Sequence, residues 1–206
     1  PAIDRHEGFM SVISACPDIR LLAKEDGAWL RSRAEERMDT LLARFPEIDV
    51  VYAQNDRMAA GAYAAAMRRK REKGMRFVGT DAIPGEGYGV EQVLSGELDA
   101  TFIYPTGGDR VMQIAMDILN KRDFPRETIL STSVVDRDNA PIMKMQTAHI
   151  SSLDEKIETL NGNQPIPGTL CHAAGCSVRQ SAGTSAGCGI AGCRLSFLAY
   201  KEPAEP

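Results

Sequence analysis

The run Ile48-Asp49-Val50-Val51-Tyr52-Ala53 is almost continuously apolar, and after Gln54-Asn55-Asp56 it gives way to a helical stripe of Met58, Ala62, Tyr63, Ala66 and Met67. A short apolar run of that kind is the pattern of a strand covered on both faces, which requires helices on each side of its sheet. The same exchange of periods recurs from Pro1 to Met145. Ile19 to Ala23 reads as a strand. Residues 29–44 read as an amphipathic helix, with Leu30, Met38, Leu41 and Leu42 set among Arg and Glu and a stop at Phe45-Pro46. Met75 to Gly79 reads as a strand, Gly89 to Leu94 as a short helix and Ala100 to Tyr104 as a further strand. A helix over 107–120 carries Val111, Ile114, Ala115, Ile118 and Leu119 on one face, and Ser131 to Asp136 closes the series as a strand. Strands alternating with helices imply parallel strands joined by crossovers, so the expected fold is α/β with a doubly wound parallel sheet.

Charge narrows the partners. Against 28 Asp and Glu stand 24 Lys and Arg, a net charge of −4 that offers no field for nucleic acid or anionic lipid. One basic run, Arg68-Arg69-Lys70-Arg71-Glu72-Lys73-Gly74, closes a helical stripe where the helix dipole is negative. No aromatic residue interleaves it, and Gly74 suits a left-handed C-terminal cap. The chain opens at Pro1 with no apolar leader segment, and the expectation is a piece of something longer. No run approaches the roughly 18 apolar residues of a membrane span.

In open α/β sheets, ligands bind outside the carboxyl ends of the strands. Three predicted strand ends present Asn55 and Asp56, Asp81, and Tyr104, with no glycine-rich phosphate loop and no Lys or Arg clamp among them. The expected ligand is a neutral polyol. A sugar has hydroxyls that donate and accept, and a C–H-rich ring face. Asp accepts from two hydroxyls, Asn does both, Arg forks across neighbouring oxygens and an aromatic ring covers the apolar face. Arg5, Trp29, Asn55, Asp81 and Tyr104 supply each type.

Arg5-His6-Glu7-Gly8-Phe9, then Leu22-Ala23 followed by Trp29, then the segment from Val51 to Ala62 with its Gln54-Asn55-Asp56-Arg57-Met58-Ala59-Ala60-Gly61-Ala62, then Val78-Gly79-Thr80-Asp81, then Leu94 to Thr101 form an ordered set. That set resembles the C-terminal lobe of type I periplasmic sugar-binding proteins over about residues 4–140, a family whose relatives include lactose-repressor-type effector domains. The resemblance implies an incomplete periplasmic-binding-protein-like fold of type I, mainly one lobe. It implies that Arg5, Asn55 and Asp81 hydrogen-bond the sugar and that Trp29 stacks on it. Tyr104 stands where ribose-binding relatives carry a polar amide, which points to a different sugar. For Asp56 two roles stay open, loop or helix support and ligand contact.

The family places its ligand between two lobes that close like a hinge. The expected partners are therefore a small-molecule sugar and a missing N-terminal lobe. The opening strand and helix of the second lobe are expected to be missing too, with Arg5 at a strand end. The helix at 107–120 belongs in the family to the first lobe, so weak binding or none is expected of this piece alone. No cofactor, metal or nucleic acid is implied, and the location is the periplasm.

Ile150, Leu153, Ile157 and Leu160 mark a helix over 147–160, and Thr147 to Lys156 resembles the exit helix of hybrid two-component histidine kinases that carry such a domain. A sensor whose parent is anchored in the membrane through a downstream helix is the leading expectation. A solute-binding component of a sugar ABC transporter and a repressor effector domain are the alternatives. The expected organisation is a partial sugar-binding domain over 1–146, an exit helix over 147–160 and a low-order Gly/Cys-rich tail over 161–206, which an altered reading frame would also explain. Cys171, Cys176, Cys188 and Cys193 form two Cys-x4-Cys pairs in that tail, beside His172, with zinc and disulfide roles both conceivable. An enzyme with Asp56 and Asp81 as paired carboxylates is disfavoured, because His6, His149 and His172 are scattered and no nucleophile accompanies them.

Overall fold

The structure, a computed structural model, describes residues 2–160 and 193–199. Helix α1 (Ala2–Ile13) leads into strand β1 (Ile19–Asp26), followed by α2 (Arg31–Arg44), β2 (Val50–Ala53), α3 (Asp56–Arg68), β3 (Arg76–Asp81), α4 (Gly89–Ser95), β4 (Ala100–Ile103), α5 (Gly108–Leu119), β5 (Val134–Asp136), α6 (Ala140–Leu160) and β6 (Cys193–Ala199). The sheet order is β1-β6-β2-β3-β4-β5. Every pairing is parallel except β4 with β5.

The core follows the sequence periods closely in the middle of the chain. Ala34, Met38, Leu41 and Leu42 are the buried residues of α2, at helical spacings, and Leu30 stands outside as the residue before its first turn. In α3 small residues dominate the buried face, among them Ala59, Ala62, Ala65 and Ala66, so α2 and α3 approach closely. Tyr63 meets Phe77 of β3 edge-on at 5.4 Å, and this pair joins the helix layer to the sheet. Met67, which the helical stripe included, is exposed.

The basic run after α3 is used in full view of solvent. Arg69 forks onto both oxygens of Asp39 on α2, at 2.8 and 2.9 Å, and Arg68 pairs with Glu35. Arg71 donates to the carbonyls of Leu42, Phe45 and Pro46, capping the open C-terminal end of α2 from a neighbouring segment. The left-handed cap falls on Lys70 (φ 57°), not on Gly74. The Arg71 N–H reaches Ala66 O and the Lys70 N–H reaches Met67 O, the paired bonds of a Schellman end, which stop the helix at Arg68. Gly74 instead ends a short 3-10 turn over Glu72–Gly74.

Several expectations are corrected. Arg5 lies on a helix, α1, not at a strand end. The sheet is parallel apart from its last pair, β4 with β5, and α5 stands off it, as a helix that belongs to the other lobe would. None of the residues of α5 is buried, and the chain after it returns along β4 in the opposite direction. The helix expected at 147 begins at Ala140. Asp136 Oδ1 accepts the N–H groups of Asp138 and Asn139, and Asn139 Oδ1 accepts from Asp136, building a turn that launches α6 with Pro141 in its first turn. Lys144 of α6 pairs with Glu91 of α4 at 2.9 Å. Within the tail expected to be of low order, residues 193–199 form β6; their backbone fills the slot between β1 and β2. The expectations for 161–192, including three of the four tail cysteines and His172, lie outside the described residues. Cys16 is held in a disulfide. Among the described residues no cluster suits a metal ion, and no helix is long and apolar enough to cross a membrane.

Candidate functional site

Parallel pairing aligns the ends of three strands on one edge. Tyr52 stands beside Val78, Val78 beside Ala100, and Asp81 beside Ile103, so Asn55, Asp81 and Tyr104 emerge together. Helix α1 is tied across that edge. Gln54, fully buried, donates from Nε2 to Ala2 O at 2.7 Å, and its own carbonyl accepts from Arg5 Nη1. Phe9 stacks on Tyr52 at 4.5 Å. These contacts bring Arg5 over the strand ends.

The Arg5 guanidinium is bracketed by aromatic rings, 5.6 Å from the centre of Trp29 and 4.6 Å from that of Tyr104. Its Nη2 stands 3.4 Å from Asp81 Oδ1. Trp29 is presented by a strained loop in which Ala28 (φ 50°) and Trp29 (φ 60°) are left-handed, held where Asp26 Oδ1 accepts the Ala28 N–H at 2.8 Å. Asn55 caps α3 through Oδ1 to Met58 N at 2.8 Å and donates from Nδ2 to Trp29 O at 3.3 Å. It therefore retains one N–H and one lone pair for any ligand. The five expected residues form one connected cluster, with Tyr104 packed on Arg5 rather than standing alone.

Two carboxyls lie here in different surroundings. Burial raises Asp81 above the usual carboxylate range, and Arg5 opposes that rise by its charge and hydrogen bond. Asp56 is buried, with 5% exposure, and is pushed up to about 7. Burial is the main cause and the Asp81 charge adds to it, while hydrogen bonds from Thr101 and Ala82 and the charge of Arg5 act against it. A concavity of about 400 Å³ lined by Arg31, Arg57, Glu86, Gly87, Tyr88 and Gln92 lies by the first turns of α2 and α3. Its lining does not include Arg5, Trp29 or Asp81.

Sequence reading missed two contributors. Gln54 was visible in the Gln-Asn-Asp segment, but its part in seating Arg5 depends on the path of α1. Thr101, buried on β4, carries no local signal that it reaches Asp56 from 45 residues away.

Comparison with known proteins agrees with this geometry. The family description "Periplasmic binding protein domain" matches residues 1–123. The xylitol-binding protein of Mycolicibacterium smegmatis is 37% identical over 100 residues, covering 48% of this chain and 28% of that protein. The fructose-binding periplasmic domain of the hybrid two-component system BT1754 is 60% identical with a TM-score of 0.74, covering 80% of this chain and 55% of that one. A Mycobacterium smegmatis protein solved in complex with β-D-fucofuranose is 27% identical with a TM-score of 0.62, covering 75% and 51%. The chain thus spans about half the length of these solved structures and about three tenths of the curated relative. With strand ends, helix order and family description in agreement, this chain belongs to the periplasmic binding protein domain family, of which it forms mainly one lobe.

Proposed function

We propose that this lobe supplies half of a hinged sugar site and that the whole protein is the periplasmic sensor of a hybrid two-component system, with fructose or a close relative as ligand. The observation that carries this reading is the Arg5–Asp81 pair set between Trp29 and Tyr104 beside Asn55. Charged and amide groups gathered at the strand ends match vicinal hydroxyls, and the rings match the C–H face of a sugar. Leaving any of these groups unpaired against a wrong ligand carries a cost, which is the source of selectivity. The 60% identity to a fructose-binding sensor domain favours a sensor over a transport component. A transport component is the second reading, because curated relatives at 30–37% identity are named as binding or import binding proteins.

The opposing lobe is the required partner. Val111, Met112, Met116 and Leu119 leave α5 with an apolar face in solvent, the surface on which the rest of a two-lobe protein packs. In this reading α6 continues towards a membrane-anchored portion of the parent. Calorimetric titration of fructose, with xylitol and ribose as competitors, tests the ligand class. The two-lobe protein is expected to bind one of them in the micromolar range, and this lobe alone weakly or not at all. No response of the two-lobe protein to any of the three overturns the sugar reading. Micromolar binding by the lobe alone overturns the need for a second wall.

A further inference from the structure

Asp56 opens α3, yet its carboxylate serves two other elements. Oδ2 accepts the N–H of Ala82 at 2.9 Å, and Oδ1 accepts the hydroxyl of Thr101 at 2.5 Å. The Ala82 N–H also lies 3.2 Å from Thr101 Oγ1, so the three groups close on one another. Space for the carboxylate is cleared on two sides, since a Cβ at Gly79 of β3 or Gly89 of α4 would fall inside its van der Waals surface. The backbone that it grips is strained: Asp81 has φ 124° and Ala82 φ 51°. Non-glycine residues in such regions persist only where their surroundings over-determine them.

We infer that Asp56 is the positioning residue for Asp81: by holding the Ala82 N–H and the Thr101 hydroxyl it fixes the turn that aims the Asp81 carboxylate at Arg5, and it does not touch the ligand. The inference deepens the proposed sugar site and rests on that reading only for what Asp81 meets. The charged groups that face Asp56 are Asp81 from β3 and Arg5 from α1, while β4 and α4 offer the neutral Thr101 and Gly89. The grip survives protonation. A neutral carboxyl accepts from Ala82 through its carbonyl oxygen and donates its O–H to Thr101, whose hydroxyl reverses. An amide does the same, so Asp56→Asn retains the grip without the charge, whereas Asp56→Ala removes it.

The test uses the full 206-residue chain and nuclear magnetic resonance. Hydrogen exchange at the Ala82 amide reads the grip, and chemical-shift changes at Asp81 with millimolar fructose read the site. Expected results are protected Ala82 in the wild type and in Asp56→Asn, and at least tenfold faster exchange in Asp56→Ala. The Ala82 amide shift should titrate with a midpoint near 7 in the wild type and stay flat in Asp56→Asn. If Asp56→Ala does not fold, Thr101→Val is read instead, with a raised Asp56 midpoint expected. Unchanged Ala82 exchange in Asp56→Ala, or an unmoved midpoint in Thr101→Val, overturns the positioning role. So does loss of the fructose response in Asp56→Asn with Ala82 still protected, which would mean direct contact. Should fructose move nothing in the wild type while Ala82 behaves as expected, the positioning role stands, as this lobe alone is expected to bind weakly or not at all, and titration of the two-lobe protein decides the fructose assignment.

Discussion

Arg5 Nη2 stands 3.4 Å from Asp81 Oδ1, an ion pair joining residues 76 positions apart. That separation exceeds the roughly 2.9 Å typical of a strong N–H···O bond. A guanidinium carries five N–H donors and a carboxylate about four acceptor lone pairs, so this one contact leaves both groups able to meet further partners. Replacing Arg5 with Ala removes the cation that opposes the burial of Asp81, so the Asp81 carboxyl should rise further above its ordinary range. Sugar affinity of the two-lobe protein should fall roughly 10- to 100-fold, the scale of losing a hydrogen bond to a charged group. Calorimetry measures the affinity, and carbon-detected resonance measures the titration. An Arg5→Ala protein with wild-type affinity would remove Arg5 from the site.

Stability should fall as pH rises through the neutral range. Asp56 holds its proton to about 7 when folded, against 3.8 as its ordinary value, so between those values the folded chain binds more protons than the unfolded one. The contribution is therefore full below about pH 4 and is lost as pH climbs to about 7, at about 1.4 kcal/mol per unit. Asp81, also raised, acts in the same direction. Urea unfolding at pH 5 and pH 8 should show the decline, and Asp56→Asn should flatten it and be the more stable protein at pH 8. A wild-type midpoint independent of pH would contradict the buried carboxyl.

Removing Arg71 should cost more than removing Arg69. Arg71 satisfies three carbonyls at the end of α2, which Arg71→Ala leaves to solvent or unpaired, for a loss of about 1–2 kcal/mol. Arg69 makes a solvent-screened surface pair with Asp39, which contributes little and is weakened further by salt. Urea midpoints of the two variants at low and high salt rank them. Equal losses would show that the carbonyl cap contributes nothing beyond charge.

The exposed face of α5 should be silent in this chain and costly in a two-lobe protein. Leu119 is 76% exposed, so Leu119→Ser should change the stability of the lobe by no more than about 0.5 kcal/mol. With the second lobe packed on α5, the same change should cost about 2 kcal/mol or more, as burying an apolar side chain normally contributes that much. Thermal denaturation of both forms decides it, and equal effects would mean that α5 has another partner or none.

Deleting residues 193–206 should expose two facing strand edges. Strand β6 pairs along Ile19–Asp26 on one side and Val50–Ala53 on the other. Each ladder bond contributes about 1 kcal/mol net, so the sum approaches the whole stability of a domain this size. Faster amide exchange in β1 and concentration-dependent aggregation are the expected readings. Unaltered exchange in β1 would show that the ladder contributes little.

The amino-acid sequence by itself determined the α/β class, the family and the central elements, and it singled out Arg5, Trp29, Asn55, Asp81 and Tyr104, which the fold gathers into one cluster. Period and strand-end chemistry are local properties, and local properties survive in a linear text. What only the tertiary structure decided depends on contacts between distant segments. The Phe9–Tyr52 stack and the Gln54 bonds seat α1, which makes Arg5 a helix residue beside strand ends. An Asx turn at Asp136 starts α6 at Ala140, ahead of any apolar stripe. Strand β6 enters the middle of the sheet from a stretch whose composition announced no strand, because ladder hydrogen bonds are made by backbone groups that every residue carries. Asp56 was legible as a residue of two open roles. Its two partners, Ala82 and Thr101, lie 26 and 45 positions away, and only the sheet brings them to one carboxylate.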